Sequence, residues 1–307
     1  MGAFLKTNNS SLARWWRRRA SQHVSAATAV VLGGCQGSGA SLLRVMLDSH
    51  PHIAAGPETS LLTGSYIPHK LAGRFDIATQ ELWQLRRQAT DHAHFVELFF
   101  ERYAASRGKL RWAEKTPQNI CHLAWIFQHF PRARFIHVVR DGRDVVCSLR
   151  THPRYRAANG ESVPTRVRRP LKPCIHAWLH DTAIGLKWRG HAEYLEVRYE
   201  DLVETPEAAL RGVCAFIGET YDPSLLQFHE DRGPSRDAAR SVITAAATRP
   251  LSHRALGRWE TELTGPELAL FDKLAGHRLT DLGYDRAHAG PARERDDATA
   301  PLPANSR

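Results

Sequence analysis

Gly34 and Gly39 bracket four residues and are followed by Ala40-Ser41, the spacing of a loop that cradles a phosphate or sulfate group. Loop N–H groups and the first turn of a following helix converge on one point, and the helix dipole favours an anion there. A nucleoside-triphosphate P-loop carries lysine directly after its last glycine; here that residue is Ala40. Chemistry on a γ-phosphate therefore loses its main support, while anion binding does not. Arg140, in the run Arg140-Asp141-Gly142-Arg143, offers a guanidinium that forks onto phosphate oxygens. Glu58 and Lys115 add a carboxylate and an ammonium, each just past a short apolar run.

These residues need a scaffold that brings them to one place. Apolar runs at 29–32, 110–115, 133–139 and 194–199, with a short extended piece at 52–56, are expected as strands. Helices are expected over 40–49, 90–107, 118–130, 144–150, 174–189 and 266–274, the last capped by Thr264, with Thr205 capping a helix that runs to Ile217. Alternating strands and helices predict an α/β fold, a P-loop-type parallel sheet flanked by helices in a single domain. Ligands of such sheets bind at the carboxyl ends of the strands. The glycine loop, Glu58, Lys115 and Arg140 are all expected there. The domain is expected over 27–285, between a basic N-terminal arm (1–26) and a disordered tail (286–307). The segment 151–173 holds Arg154, Arg156, Arg166, Arg168, Arg169 and Lys172 against the single acid Glu161 and is expected as a mobile basic loop. A polar stretch at 231–252 is a candidate flap.

At 307 residues the chain can bury a full core, and its net charge of +10 points to anionic company. No zinc-finger spacing and no aromatic RNA-binding signature appears, so nucleic acid is not expected as a partner. The five cysteines are scattered, without a CxxC pair; that favours a reducing, cytoplasmic setting and predicts no metal site. No run of about 18 apolar residues suggests a membrane span.

Four stretches in order resemble the sulfotransferase family that uses 3′-phosphoadenosine-5′-phosphosulfate (PAPS), nearest to bacterial enzymes allied to tyrosylprotein sulfotransferases. They are GGCQGSGASLLRVMLDSHP with GPET, AEKTPQN, FPRARFIHVVRDGRDVVCSL, and ALGRWETEL with LTDLGYD, and the likeness spans residues 28–284. The resemblance implies the sulfotransferase fold. It also implies that Ser38, Gly39, Ala40 and Ser41 hold the 5′-phosphosulfate through backbone N–H groups and hydroxyls. Arg140 and Ser148 would hold the 3′-phosphate, and Tyr199 and Arg258 would make further nucleotide contacts. Glu58 would be the general base for an acceptor hydroxyl and Lys115 the cation beside the sulfuryl group, with adenosine 3′,5′-bisphosphate (PAP) as product and no metal. The family loop usually reads Arg-Ser-Gly-Thr-Thr; here Gly37 stands where the arginine would be and Ala40 replaces a hydroxyl residue. Lys115, Arg44 and Arg258 are the candidates to compensate. A catalytically weakened domain that binds nucleotide or polyanion, and a P-loop small-molecule kinase, are the alternatives. The acceptor and the oligomeric state are not legible.

Overall fold

Ala29 and Val31 face one apolar cluster while Val30 and Leu32 face another, so the first strand is buried on both sides. That is the environment of a central parallel strand. The computed structural model describes residues 21–152, 154–158, 161–165, 167–230 and 250–286. In chain order its elements begin with β1 (Val30–Gly33), α1 (Ala40–Asp48), β2 (Ile53–Ala55), α2 (Pro68–Phe75), α3 (Thr79–Gln88) and α4 (His92–Ser106). There follow β3 (Arg111–Lys115), a 3₁₀ turn (Pro117–His122), α5 (Leu123–His129), β4 (Arg134–Val139) and α6 (Gly142–Thr151). Next come a hairpin of β5 (Arg154–Ala158) and β6 (Glu161–Thr165), then α7 (Leu171–Leu186), β7 (Tyr194–Arg198), α8 (Tyr199–Glu204) and α9 (Pro206–Ile217). The last are α10 (Trp259–Glu262) and α11 (Gly265–Asp281).

Five strands form one sheet in the order β2-β3-β1-β4-β7, and every neighbouring pair is parallel. Register places Leu32 beside Lys115 and Gly33 beside His137. The glycine loop thus leaves the sheet level with the end of β3 and two residues short of the end of β4. On one face α4 packs Phe95, Phe99 and Phe100 against Trp112 and Phe135. On the other, Leu43, Met46 and Leu47 of α1 and Leu210 and Val213 of α9 cover Ile136 and Val138. Both faces are covered, as expected for a doubly wound sheet.

Several local expectations change. The basic segment expected as a mobile loop contains the antiparallel pair β5–β6, with Arg154 opposite Thr165 and Ala158 opposite Glu161. The helix expected over 118–130 opens as the 3₁₀ turn Pro117–His122, and the α-helix proper begins only at Leu123. Tyr199 is not the last residue of a strand but the first of α8. Thr205 does not cap α9; its hydroxyl donates back to Asp201 O at 3.3 Å. Thr264 does cap its helix through a reciprocal box with Glu267, and that helix runs to Asp281. Residues 21–26 of the expected arm are tied to the domain by hydrogen bonds: Gln22 and His23 donate their N–H groups to Asp91, and the Ser25 N–H donates to His129 O at 2.8 Å. Residues 1–20, most of the candidate flap (231–249) and residues 287–307 of the expected tail lie outside the described residues.

Candidate active site at the carboxyl edge of the sheet

The loop after β1 is shaped by glycines in backbone regions that side chains avoid: φ is +140° at Gly34, +92° at Gly37 and +95° at Gly39. A methyl group at Gly39 would lie 2.1 Å from Tyr199 Cδ2, so the aromatic ring lies directly on the loop. At Gly37 an added Cβ would meet Ser148 Oγ at 3.0 Å. The position that the resemblance fills with arginine is therefore held left-handed and close against α6. Gly34 donates to Pro117 O at 3.0 Å, which ties the loop to the 3₁₀ turn. Ser38 is buried and its N–H bonds Cys35 O at 3.0 Å, inside the loop. The N–H groups of Ala40 and Ser41, in the first turn of α1, have no earlier helical carbonyl to meet.

A cavity of ≈ 670 Å³ opens at this edge. Of the residues expected from sequence, Gly37, Gly39, Ala40, Ser41, Glu58, Lys115, Arg140, Ser148 and Tyr199 line it. Ser38 and Arg258 do not. Arg258 is instead paired with Glu262, Nε donating to Oε1 at 2.8 Å. Arg44 is also turned away; its guanidinium donates to Ala55 O at 2.8 Å and braces the end of β2. Of the three cations considered for the missing arginine, only Lys115 reaches the cavity.

Charged groups line the cavity beyond β3 and beyond β4, the strands on either side of β1, and these define its two ends. At one, Lys115 Nζ donates to Glu58 Oε2 at 2.9 Å; the lysine side chain is 7% exposed and the glutamate 40%. Glu58 does not cap a helix, since α2 starts only at Pro68. At the other end, Arg140 is buried across the face of Tyr199, 4.6 Å from the ring centroid. Its Nη1 donates to Gly37 O at 3.0 Å, and Nη2 to Ala255 O and to Asp144 Oδ2. Asp144 also accepts the N–H groups of Gly257 and Trp259, both at 3.0 Å. Burial pushes its carboxyl up from the usual range, against the opposing pull of Arg140. Burial raises the Tyr199 phenol as well, so it stays protonated. Asp141 and Arg143 pair with each other at the start of α6, as local capping residues do.

Sequence reading missed Gln36, His152 and Arg254, which also line the cavity. His152 shares a 2.9 Å hydrogen bond with Gln36. Burial, with help from Arg169, lowers its pKa, against an opposing pull from Glu58. The only sequence signal for Arg254 was its place four residues before Arg258. Which of two arginines reaches a cavity depends on the turn between them. The buried histidines His50 and His137 do not line it. No metal was expected. Among the described residues two trios come within ligand reach of each other, His50–His52–Glu219 and Cys121–His180–Asp181, and none of their members lines the cavity.

A family model described as "Sulfotransferase family" matches residues 29–223. Protein-tyrosine sulfotransferase 2 of Gallus gallus is 28% identical over 273 residues, covering 83% of this chain and 69% of that one. Among solved structures, the sulfotransferase domain from the curacin biosynthetic pathway superposes with a TM-score of 0.62 at 20% identity, over 85% of this chain and 99% of that one. Mouse sulfotransferase SULT7A1, solved in complex with PAP, gives 0.52 at 17% identity, over 85% and 88%. At these identities the structural likeness speaks for the fold. The expected parallel sheet flanked by helices is the fold of these enzymes.

Proposed function

Since this chain belongs to the sulfotransferase family, and is a sulfotransferase, we propose that its donor is PAPS and that Glu58 is the general base that prepares an acceptor hydroxyl. The observation that carries this reading is the Lys115–Glu58 pair, 2.9 Å apart, in the same cavity as the glycine loop and Arg140. A second observation fits a nucleotide with phosphates at two positions: Lys115 and Arg140 follow β3 and β4, on either side of β1, and Arg140 Nε is buried with no partner among the described residues. SULT7A1, a structural neighbour, was solved with PAP, which agrees with this choice of donor. The donor would supply an activated sulfuryl group on a phosphate leaving group.

In this reading the Ala40 and Ser41 N–H groups hold the phosphosulfate end, and Arg140 with Ser148 holds the 3′-phosphate. Lys115 does two things. It orients Glu58 through Oε2, and it places positive charge where charge builds on the sulfuryl and bridging oxygens. Glu58 Oε1, without a partner among the described residues, takes the hydroxyl proton as that oxygen attacks in line. Gly37 leaves the reaction with one cation fewer than the family loop supplies, so Lys115 carries that demand. The acceptor is a hydroxyl compound, either a small molecule or a tyrosyl side chain.

Two measurements test this. Calorimetric binding of PAP should exceed that of adenosine 5′-phosphate by about 10- to 100-fold, the value of a charge-assisted contact of about 1.5–3 kcal/mol. Equal affinities would remove Arg140 from the 3′-phosphate. Glu58→Gln should lower transfer from radiolabelled PAPS by about 10²–10⁴-fold with PAP affinity unchanged. Full turnover in that variant would end the base assignment.

A further inference from the structure

The ends of β1 and β3 and the chain that carries Glu58 meet on one buried carboxylate that the mechanism does not use. Glu114 is 1% exposed and does not line the cavity. Its Oε1 accepts from Thr59 Oγ1 at 2.7 Å and from Thr116 Oγ1 at 2.6 Å. Its Oε2 accepts from Asn119 Nδ2, which also donates to Leu32 O at 3.0 Å, at the end of β1. Each threonine hydroxyl in turn accepts a backbone N–H from the Glu58 loop: Leu61 to Thr59 Oγ1 at 3.1 Å, Ser60 to Thr116 Oγ1 at 3.0 Å. Between them Ser60 sits at φ +58°, a left-handed backbone for a residue with a side chain. Strain of that kind persists where surrounding contacts over-determine it.

We propose that Glu114 is a positioning residue: through Thr59, Thr116 and Asn119 it sets Glu58 and Lys115 against the glycine loop. Thr59 follows Glu58 and Thr116 follows Lys115, so the clamp grips the chain one residue from each member of the pair. Acceptor-only chemistry explains why a carboxylate stands here. An ionised Glu takes hydrogen bonds on both oxygens, whereas an amide would turn a donor toward groups that must themselves donate. Burial raises the Glu114 pKa while the threonine and asparagine donors oppose that rise. This inference rests on the roles given above to Glu58 and Lys115.

The test uses the full chain, p-nitrophenol as acceptor and radiolabelled PAPS. Thr116→Val keeps the shape and removes the hydroxyl; Thr116→Ser restores it. For Thr116→Val the expected result is kcat lower by about tenfold or more, PAP affinity within about twofold, and faster amide exchange at Ser60. Thr116→Ser should return all of these toward the parent, and Glu114→Gln should behave as Thr116→Val does. Combined with Glu58→Gln, Thr116→Val should cost less than the product of the two separate losses, because both act on the Glu58–Lys115 pair. Unchanged kcat and Ser60 exchange in Thr116→Val would overturn the proposal, as would a loss of PAP affinity that matches the loss of kcat. Should Glu58→Gln alone keep full kcat, the base role falls instead, and the clamp is judged through Lys115 on the Thr116 pair.

Discussion

The two ends of the cavity hold charge in opposite ways. Arg140 and Asp144 have side chains only 5% and 2% exposed, and each is bonded to backbone groups from distant segments: Gly37 and Ala255 for the arginine, Gly257 and Trp259 for the aspartate. At the other end Lys115 is buried but Glu58 is open to solvent, with one carboxylate oxygen unengaged among the described residues. A cation meant to hold a fixed anion gains from being immobile before the ligand arrives, since no reorganisation is then needed. A carboxylate meant to take a proton needs access to the group that gives it. In the proposed mechanism the closed end binds and the open end reacts, and the hidden carboxylate of Glu114 allows Glu58 to be exposed without being loose.

The strongest challenge to that contrast is Arg140→Ala. It leaves Asp144 buried without its ion-pair partner, so stability should fall by about 3–5 kcal/mol, seen as a large drop in Tm, and PAP binding should weaken with it. A normal Tm with weakened binding would show that the arginine serves the ligand alone. A smaller effect is expected from Gly39→Ala. The backbone there is left-handed and the new methyl would meet the Tyr199 ring, so a penalty of about 1–2 kcal/mol from the backbone alone should appear as reduced Tm, with loss of PAP affinity as Tyr199 shifts. Unchanged binding would separate the ring from the loop.

The most gradual effect, spread over several pH units, lies beside the glycine loop. His137 is fully buried beside Gly34 and its Nδ1 is paired with the Tyr194 hydroxyl at 2.6 Å. Burial lowers its pKa to about 3, helped by Arg189. Its folded-state pKa is below the unfolded value, so the unfolded chain binds the proton first. The contribution of neutral His137 is complete above the unfolded pKa of about 6.5 and is lost as pH falls toward 3. Denaturant titrations between pH 6 and 4 should show a slope of about 1.4 kcal/mol per pH unit from this group, and His137→Gln should remove that part. An unaltered slope would place the acid sensitivity elsewhere.

Much of the site was legible because its parts are local. The glycine spacing at 34–39, the strand-end position of Lys115 and the Arg140 run each declare themselves within a few residues, and the matching elements formed close to their expected bounds. What failed to show was decided between distant segments. Arg258 and Arg254 are four residues apart in similar surroundings, and a turn chose which one faces the cavity. The charge of 151–173 spoke for a loop, whereas cross-strand pairing made a hairpin of it. Glu114 reads in sequence as one more acid beside a lysine, and its burial depends on three segments closing over it.

By itself the amino-acid order determined the periodicities, the phosphate-type turn and the types of charge available, because these follow from backbone sterics and from side-chain chemistry over short range. Tertiary structure alone decided which charges meet, which are closed off and which stay open to solvent, because burial and long-range hydrogen bonding belong to no single segment. Glu58 and Glu114 are the same amino acid near neighbouring strand ends; only the packing around them left one open to solvent and buried the other among three hydrogen-bond donors.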